Sequence, residues 1–389
     1  MKKYWLWLLC LPFGVFAQDY SAFQSQLNQL RDSVVYHQYQ MQGKLPLIVE
    51  DSVAFVYHGK AKSVAWMGDF NGWGYDQSFQ NKGKNVGNNL WVLKSKFPKD
   101  ARLDYKILID DNQWILDPAN PHQQWSGVGG GSPNSELRMP QWKEAIELQA
   151  QSNVPKGSLQ TDMLFNSRIL NYQITYGVYL PHGYEKIGKL PVMYVTDGYE
   201  YLHPRLGNMV TVVDNLIAEK KIKPIVVVFV DHREPVNRSN NRRMQELAMN
   251  SAYLDFFVKE FLPEIEKKYP VASEASNRGI MGTSMGGLTA TYFAFTKPDV
   301  FGLVGIQSPA FWTKPQIYQL CSNPANPKMR VSMTSGLIND TSKESRKMKD
   351  VLQANSCVYT YHEVNEGHSW GNWRNLIDDV LIDLFGTKM

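Results

Sequence analysis

The chain has 389 residues, 43% of them hydrophobic and 12% aromatic, with a formal net charge of +4. That apolar and aromatic content excludes a disordered, collagen-like or coiled-coil chain, and the length suits two or three domains that each bury a core. The near balance of charge leaves no footprint for nucleic acid, which is not expected as a partner.

The chain opens as a secretory leader. Lys2-Lys3 is followed by an apolar run too short to span a bilayer comfortably, then by Val15-Phe16-Ala17, the small-residue pattern of a cleavage site. Residues 1–17 are therefore expected to be removed, leaving an exported protein, periplasmic or extracellular, with no membrane attachment. Phe23, Leu27, Leu30 and Val34 recur at helical spacing and predict a helical segment within 18–45. From 46 to 126 the grammar is β: runs at 52–57, 63–67, 90–97, 103–109 and 113–116 are separated by Gly, Asn, Asp and Pro clusters. With no helix between them, they predict an all-β, immunoglobulin-like sandwich. A glycine-rich stretch opens a linker expected over 127–144.

From 145 to 389 apolar runs alternate with helical patterns. A leading β pair at 158–165 and 172–179 precedes runs at 191–195, 224–230, 278–282, 303–306, 330–334 and 358–364. Continuous apolar strands between helices predict a mostly parallel sheet covered on both faces, an α/β architecture.

Within it, Gly282-Thr283-Ser284-Met285-Gly286-Gly287 follows a predicted strand and opens a helix. That context suits a nucleophile elbow, where a strained turn projects the serine hydroxyl from the sheet edge. Serine needs a base. His368, just past the last strand and before a closing helix, is the candidate, with His232 the runner-up. The orienting acid belongs on the loop after the preceding strand, which carries Asp340, with Glu344 as competitor. The order Ser284, Asp340, His368 is that of α/β-hydrolases. Met285 N–H and Tyr199 N–H are the expected oxyanion donors, with Gly198 supplying backbone freedom. Arg238 and Arg242, on a loop with Arg243, are candidates to clamp an anionic part of the substrate. Trp370, close after the histidine, is also placed at the substrate. No cofactor is called for, and no Cys/His/Asp spacing suggests a catalytic metal.

The blocks Arg243-Met244-Gln245-Glu246-Leu247, Phe261-Leu262-Pro263, Gly282 to Gly287 and Gly367-His368 resemble the enterochelin-esterase-like family of α/β hydrolases, to which ferulic-acid and acetyl-xylan esterases are related. The resemblance covers 145 to the C-terminus and implies a serine esterase with the triad Ser284, Asp340 and His368. Upstream, Val64 to Trp73, Tyr105-Lys106 and Trp114 to Pro118 are similar to early-set sandwiches of glycogen-binding modules. That likeness leaves two readings of Trp66, Trp73 and Trp114: a glycan platform, or two core residues and a turn cap.

The function expected is an exported serine carboxylesterase acting on a siderophore or aromatic ester. A carbohydrate esterase (feruloyl or acetyl) holding glycan on its sandwich is one alternative; an inactive glycan-binding protein is another. Cys321 and Cys357, the two cysteines beyond the leader, are expected to form a disulfide in an oxidising compartment, with two buried free thiols as the alternative.

Overall fold

The computed structural model describes residues 13–127, 131–322 and 329–387. The charged start of the leader, residues 1–12, lies outside that description. Two compact units make up the chain. The first takes in the chain to Ala101 with Tyr105–Gln123 and Ser135–Trp142; the second takes in Arg102–Asp104, Gln124–Asn134 and the chain from Lys143 onward. No described helix is long and apolar enough to cross a membrane.

Where one N-terminal helix was expected, two occur, Phe13–Gln29 and Ser33–Met41. Asp32 divides them, its carboxylate accepting the Val34 N–H at 2.8 Å as an N-cap. Phe23, Leu27 and Leu30 are buried, whereas Val34 is exposed on the second helix.

Nine short strands follow: β1 (Leu47–Val49), β2 (Ser52–His58), β3 (Val64–Gly68), β4 (Lys84–Asn85), β5 (Leu90–Lys96), β6 (Arg102–Ile109), β7 (Gln113–Ile115), β8 (Gln123–Trp125) and β9 (Pro133–Arg138). They form two sheets, β1-β2-β5-β4 and β3-β6-β9-β8, with β7 on β6. The stretch expected as a linker thus contains a strand. Its polar sequence hides this because the polar groups are satisfied inside: Ser135 Oγ accepts the Asp117 N–H, and Asn120 donates to the Glu136 carbonyl. Trp66 is core, Trp73 bonds Asp69 within a turn, and Trp114 is 49% exposed.

Eight strands make a third sheet: β10 (Ser158–Ser167), β11 (Tyr172–Leu180), β12 (Val192–Val195), β13 (Val226–Asp231), β14 (Arg278–Thr283), β15 (Leu303–Gln307), β16 (Arg330–Gly336) and β17 (Val358–Val364). Their order is β10-β11-β13-β12-β14-β15-β16-β17. The β10, β11 and β13 pairings are antiparallel and the other five run parallel. Alternation explains the unbroken apolar runs: Tyr194, Val228 and Ile280 enter one core, while Met193, Val227 and Met281 enter the other. Ser251–Phe256, a π-turn at Phe257–Phe261 and Leu262–Lys268 form one unbroken helical run, and Pro263 stands just past the π-turn, where the regular hydrogen-bond ladder is interrupted.

The expected disulfide is not formed. Cys321 is a free thiol buried at the end of the helix Ile317–Cys321, and Cys357 is a free, half-buried thiol ahead of β17. The Cys357 Sγ lies 3.9 Å from the Asn355 carbonyl, and burial pushes the Cys321 thiol well up, so it packs as a neutral apolar group.

Candidate active site

Three loops at the carboxyl ends of β14, β16 and β17 converge. Ser284 occupies the turn between β14 and the helix Met285–Thr296 with φ 57° and ψ −114°, a strained conformation for a residue with a side chain. The turn requires its glycines: a Cβ on Gly282 would stand 2.6 Å from the Gly286 carbonyl carbon, and one on Gly286 would stand 2.9 Å from Asp197 Oδ2. Ser284 N–H donates to the Gln307 carbonyl and Ala310 N–H to the Ser284 carbonyl, both at 2.9 Å.

Ser284 Oγ is 3.0 Å from His368 Nε2, and His368 Nδ1 is 2.6 Å from Asp340 Oδ1. The Asp340 side chain is fully buried, and its second oxygen accepts Ser308 Oγ–H at 2.6 Å and Gly336 N–H at 2.5 Å. Asn372 donates to the Gly367 carbonyl at 2.9 Å, bracing the histidine loop. Glu344 does not join the chain; it lies in the first turn of the helix Ser342–Ala354. The imidazole is flanked by two indoles, Trp373 at 4.9 Å and Trp312 at 6.0 Å between ring centroids.

Met285 is the first residue of its helix and Tyr199 the second of Gly198–Leu202, so neither amide has an acceptor within its own helix. The left-handed residue in the second loop is Asp197 (φ 55°), not Gly198. Gly198 serves close approach instead, since a Cβ there would lie 2.6 Å from the Val230 nitrogen.

Arg243 joins these two loops. Its Nε and Nη2 bind the two oxygens of Asp197 at 2.6 and 3.0 Å, and Nη2 also donates to the Thr283 carbonyl at 3.1 Å. Burial opposes ionisation of Asp197, but the Arg243 guanidinium and His232 beside it hold the carboxyl well below the usual range. His232, the runner-up base, belongs to this network, its Nδ1 3.2 Å from Asp197 Oδ1. Asp197, Glu200 and His232 bring possible metal-ligating atoms within 4.8 Å of one another. Guanidinium groups already occupy both carboxylates, Arg243 on Asp197 and Arg233 on Glu200, so the cluster is an ion-pair network. Glu246, also in the Arg-x-x-Glu-Leu block, is pushed up to about 8 by burial while accepting from Tyr172 Oη at 3.0 Å.

The remaining expectations divide. Arg238 pairs with Asp162 and lines a cavity of about 390 Å³ with Trp125, Tyr199, His203 and Arg233. Arg242 does not line it; its guanidinium lies 4.1 Å over the Tyr172 ring and bonds Glu234. Trp370 is a core residue, 3% exposed and edge-on to Tyr201 and Trp373. Trp312, Trp373, Ser308 and Asn372 went unread in the sequence. Of these, only the exposed tryptophan after a strand end carried any signal.

The fold and the strand-end constellation define an α/β-hydrolase. The chain matches the Esterase family model ("Putative esterase") over residues 167–384, more than half its length, and belongs to that family of hydrolases acting on carboxylic esters. Over 300 residues it is 25% identical to the iron(III) enterobactin esterase of Escherichia coli O6:H1, covering 70% of this chain and 68% of that protein. Over 239 residues it is 26% identical to the endo-1,4-beta-xylanase/feruloyl esterase of Xylanibacter ruminicola, covering 57% of this chain but only 30% of that protein. The enterobactin esterase from Shigella flexneri, crystallised in the presence of enterobactin, superposes with a TM-score of 0.70 at 19% identity, over 86% of this chain and 92% of that one. At that identity the likeness is one of fold.

Proposed function

We propose that this chain is an exported serine carboxylesterase working through an acyl-enzyme on Ser284. The hydrogen-bonded line from Ser284 Oγ through His368 to buried Asp340 carries the reading. His368 Nε2 takes the serine proton as Oγ bonds the ester carbonyl carbon, and returns it to the departing alcohol oxygen. Asp340 keeps the proton on Nδ1 and stabilises the imidazolium. The amides of Met285 and Tyr199 receive the developing oxyanion. Water then repeats the cycle and releases the acid.

The substrate proposed is a small aromatic or siderophore-type ester with an anionic portion. Support comes from the similarity to the enterobactin esterases and from Arg233 and Arg238 in the cavity beside Tyr199. A carbohydrate ester, feruloyl or acetyl, is the second reading, favoured by the xylanase/feruloyl esterase relative and by exposed Trp114. Hydrolysis of a panel of neutral aryl acetates, feruloyl sugars and catecholate trilactones tests both readings. Ser284→Ala and His368→Ala should each lose nearly all turnover while remaining folded. Asp340→Asn should be crippled and Glu344→Gln should not; Arg238→Ala should weaken anionic substrates selectively. Near-normal turnover by Ser284→Ala refutes the mechanism.

A further inference from the structure

His368 has one closed flank and one open one. Trp373, 4.9 Å away, is only 7% exposed, whereas Trp312 meets the imidazole edge-to-face at 6.0 Å and is 51% exposed. Trp312 lies in the turn Phe311–Thr313 after β15, next to Ala310, whose N–H bonds the Ser284 carbonyl at 2.9 Å. Thr313 Oγ1 donates to the Ala310 carbonyl at 2.7 Å and sits 3.6 Å from Met285 Sδ, and Phe311 is buried. The loop that carries this indole is therefore bonded to the backbone of the nucleophile.

The chemistry indicates what should lie against it. Resting on the acyl-enzyme reading, His368 Nε2 must hand its proton to the oxygen that leaves, so that oxygen comes within hydrogen-bond reach of the ring. The carbon–oxygen bond to the alcohol breaks as that proton arrives. The first atoms of the alcohol then lie beside the imidazole, and the open side there is the one bounded by Trp312. We infer that Trp312 determines specificity for the alcohol half of the ester, its exposed indole face receiving flat, ring-bearing alcohols. By microscopic reversibility, an alcohol attacking the acyl-enzyme occupies the same place.

Partitioning of the acetyl-enzyme tests this. Enzyme acetylated by p-nitrophenyl acetate is offered benzyl alcohol and methanol together, and the ratio of benzyl acetate to methyl acetate is measured. Because both products form in one reaction, the ratio does not depend on how much protein is folded. Trp312→Ala should lower the benzyl-to-methyl ratio about tenfold, and Trp312→Phe should keep most of the preference. An unchanged ratio in Trp312→Ala overturns the inference, as does wild-type enzyme that forms no benzyl acetate while forming methyl acetate. Failure of the underlying reading shows separately, as wild-type protein that never gains an acetyl group on Ser284 by mass.

Discussion

Arg243→Ala should separate the assembly of the site from its chemistry. The guanidinium grips Asp197, two residues before Tyr199, and the Thr283 carbonyl, two residues before Met285. One side chain thus sets the spacing of both amides proposed to receive the oxyanion. Removing a single oxyanion donor costs about a hundredfold or more in kcat, and a misplacement near 1 Å costs a similar factor. We expect kcat to fall about a hundredfold, with KM changed far less. Asp197 is 2% exposed, and stripping its main partner leaves a buried charge worth about 3–5 kcal/mol of destabilisation. For a domain of this size that is a Tm loss of about 6–20 °C.

Two further variants keep stability and catalysis apart. Arg243→Ala combined with Asp197→Asn removes the uncompensated charge and should recover much of the Tm without recovering kcat. Arg243→Lys keeps a charge for Asp197, but a point ammonium cannot reproduce the fork that also reaches Thr283, so it should be more stable than the alanine variant yet still slow. The assay is steady-state hydrolysis of p-nitrophenyl acetate, with folded fraction followed by circular dichroism. Folded Arg243→Ala protein with kcat within about threefold of wild type would refute the bridging role, since a lost donor costs far more.

Two other expectations follow from the same structure. Glu246, raised by burial to about 8, stays protonated in the folded chain at pH values where the unfolded chain has lost that proton. Its contribution therefore makes stability fall by up to about 1.4 kcal/mol per pH unit between about pH 5 and 8. Glu246→Gln mimics the protonated form, so its Tm should match wild type near pH 5 and exceed it near pH 9; parallel curves would show that Glu246 does not titrate there. Export, the second, predicts that protein recovered from the expressing cells' periplasm or medium begins at Gln18, read by N-terminal sequencing. A chain retained in the cytoplasm with Lys2-Lys3 intact would oppose it.

The parts of the molecule readable in the sequence are those encoded by neighbouring residues. The central strands of the eight-stranded sheet stood out because burial on both faces demands unbroken apolar runs, as in Val226–Asp231. The elbow stood out because its glycines and serine are contiguous, and Asp340 and His368 because hydrolase loops follow strands in a set order. What escaped depends on partners remote in the chain. Asn134 to Leu137 read as linker, yet partners such as Asp117 and Asn120 make a strand of it. Arg243 lies 46 residues from Asp197 and 40 from Thr283, so its charge was visible and its fork was not. The tryptophans show the limit most sharply. Trp370 and Trp373 stand three apart on the short helix Trp370–Arg374 and both turn into the core. A five-residue helix carries too little periodicity to reveal its buried face. Trp312 lies in a turn with no periodicity, and its place beside His368 arises because Ala310 is bonded to the Ser284 carbonyl. A contact between two strand-end loops decides which exposed indole stands beside His368, so the hydrogen-bonded line of Ser284, His368 and Asp340 could be read from residue order while the residue proposed to select the alcohol could not.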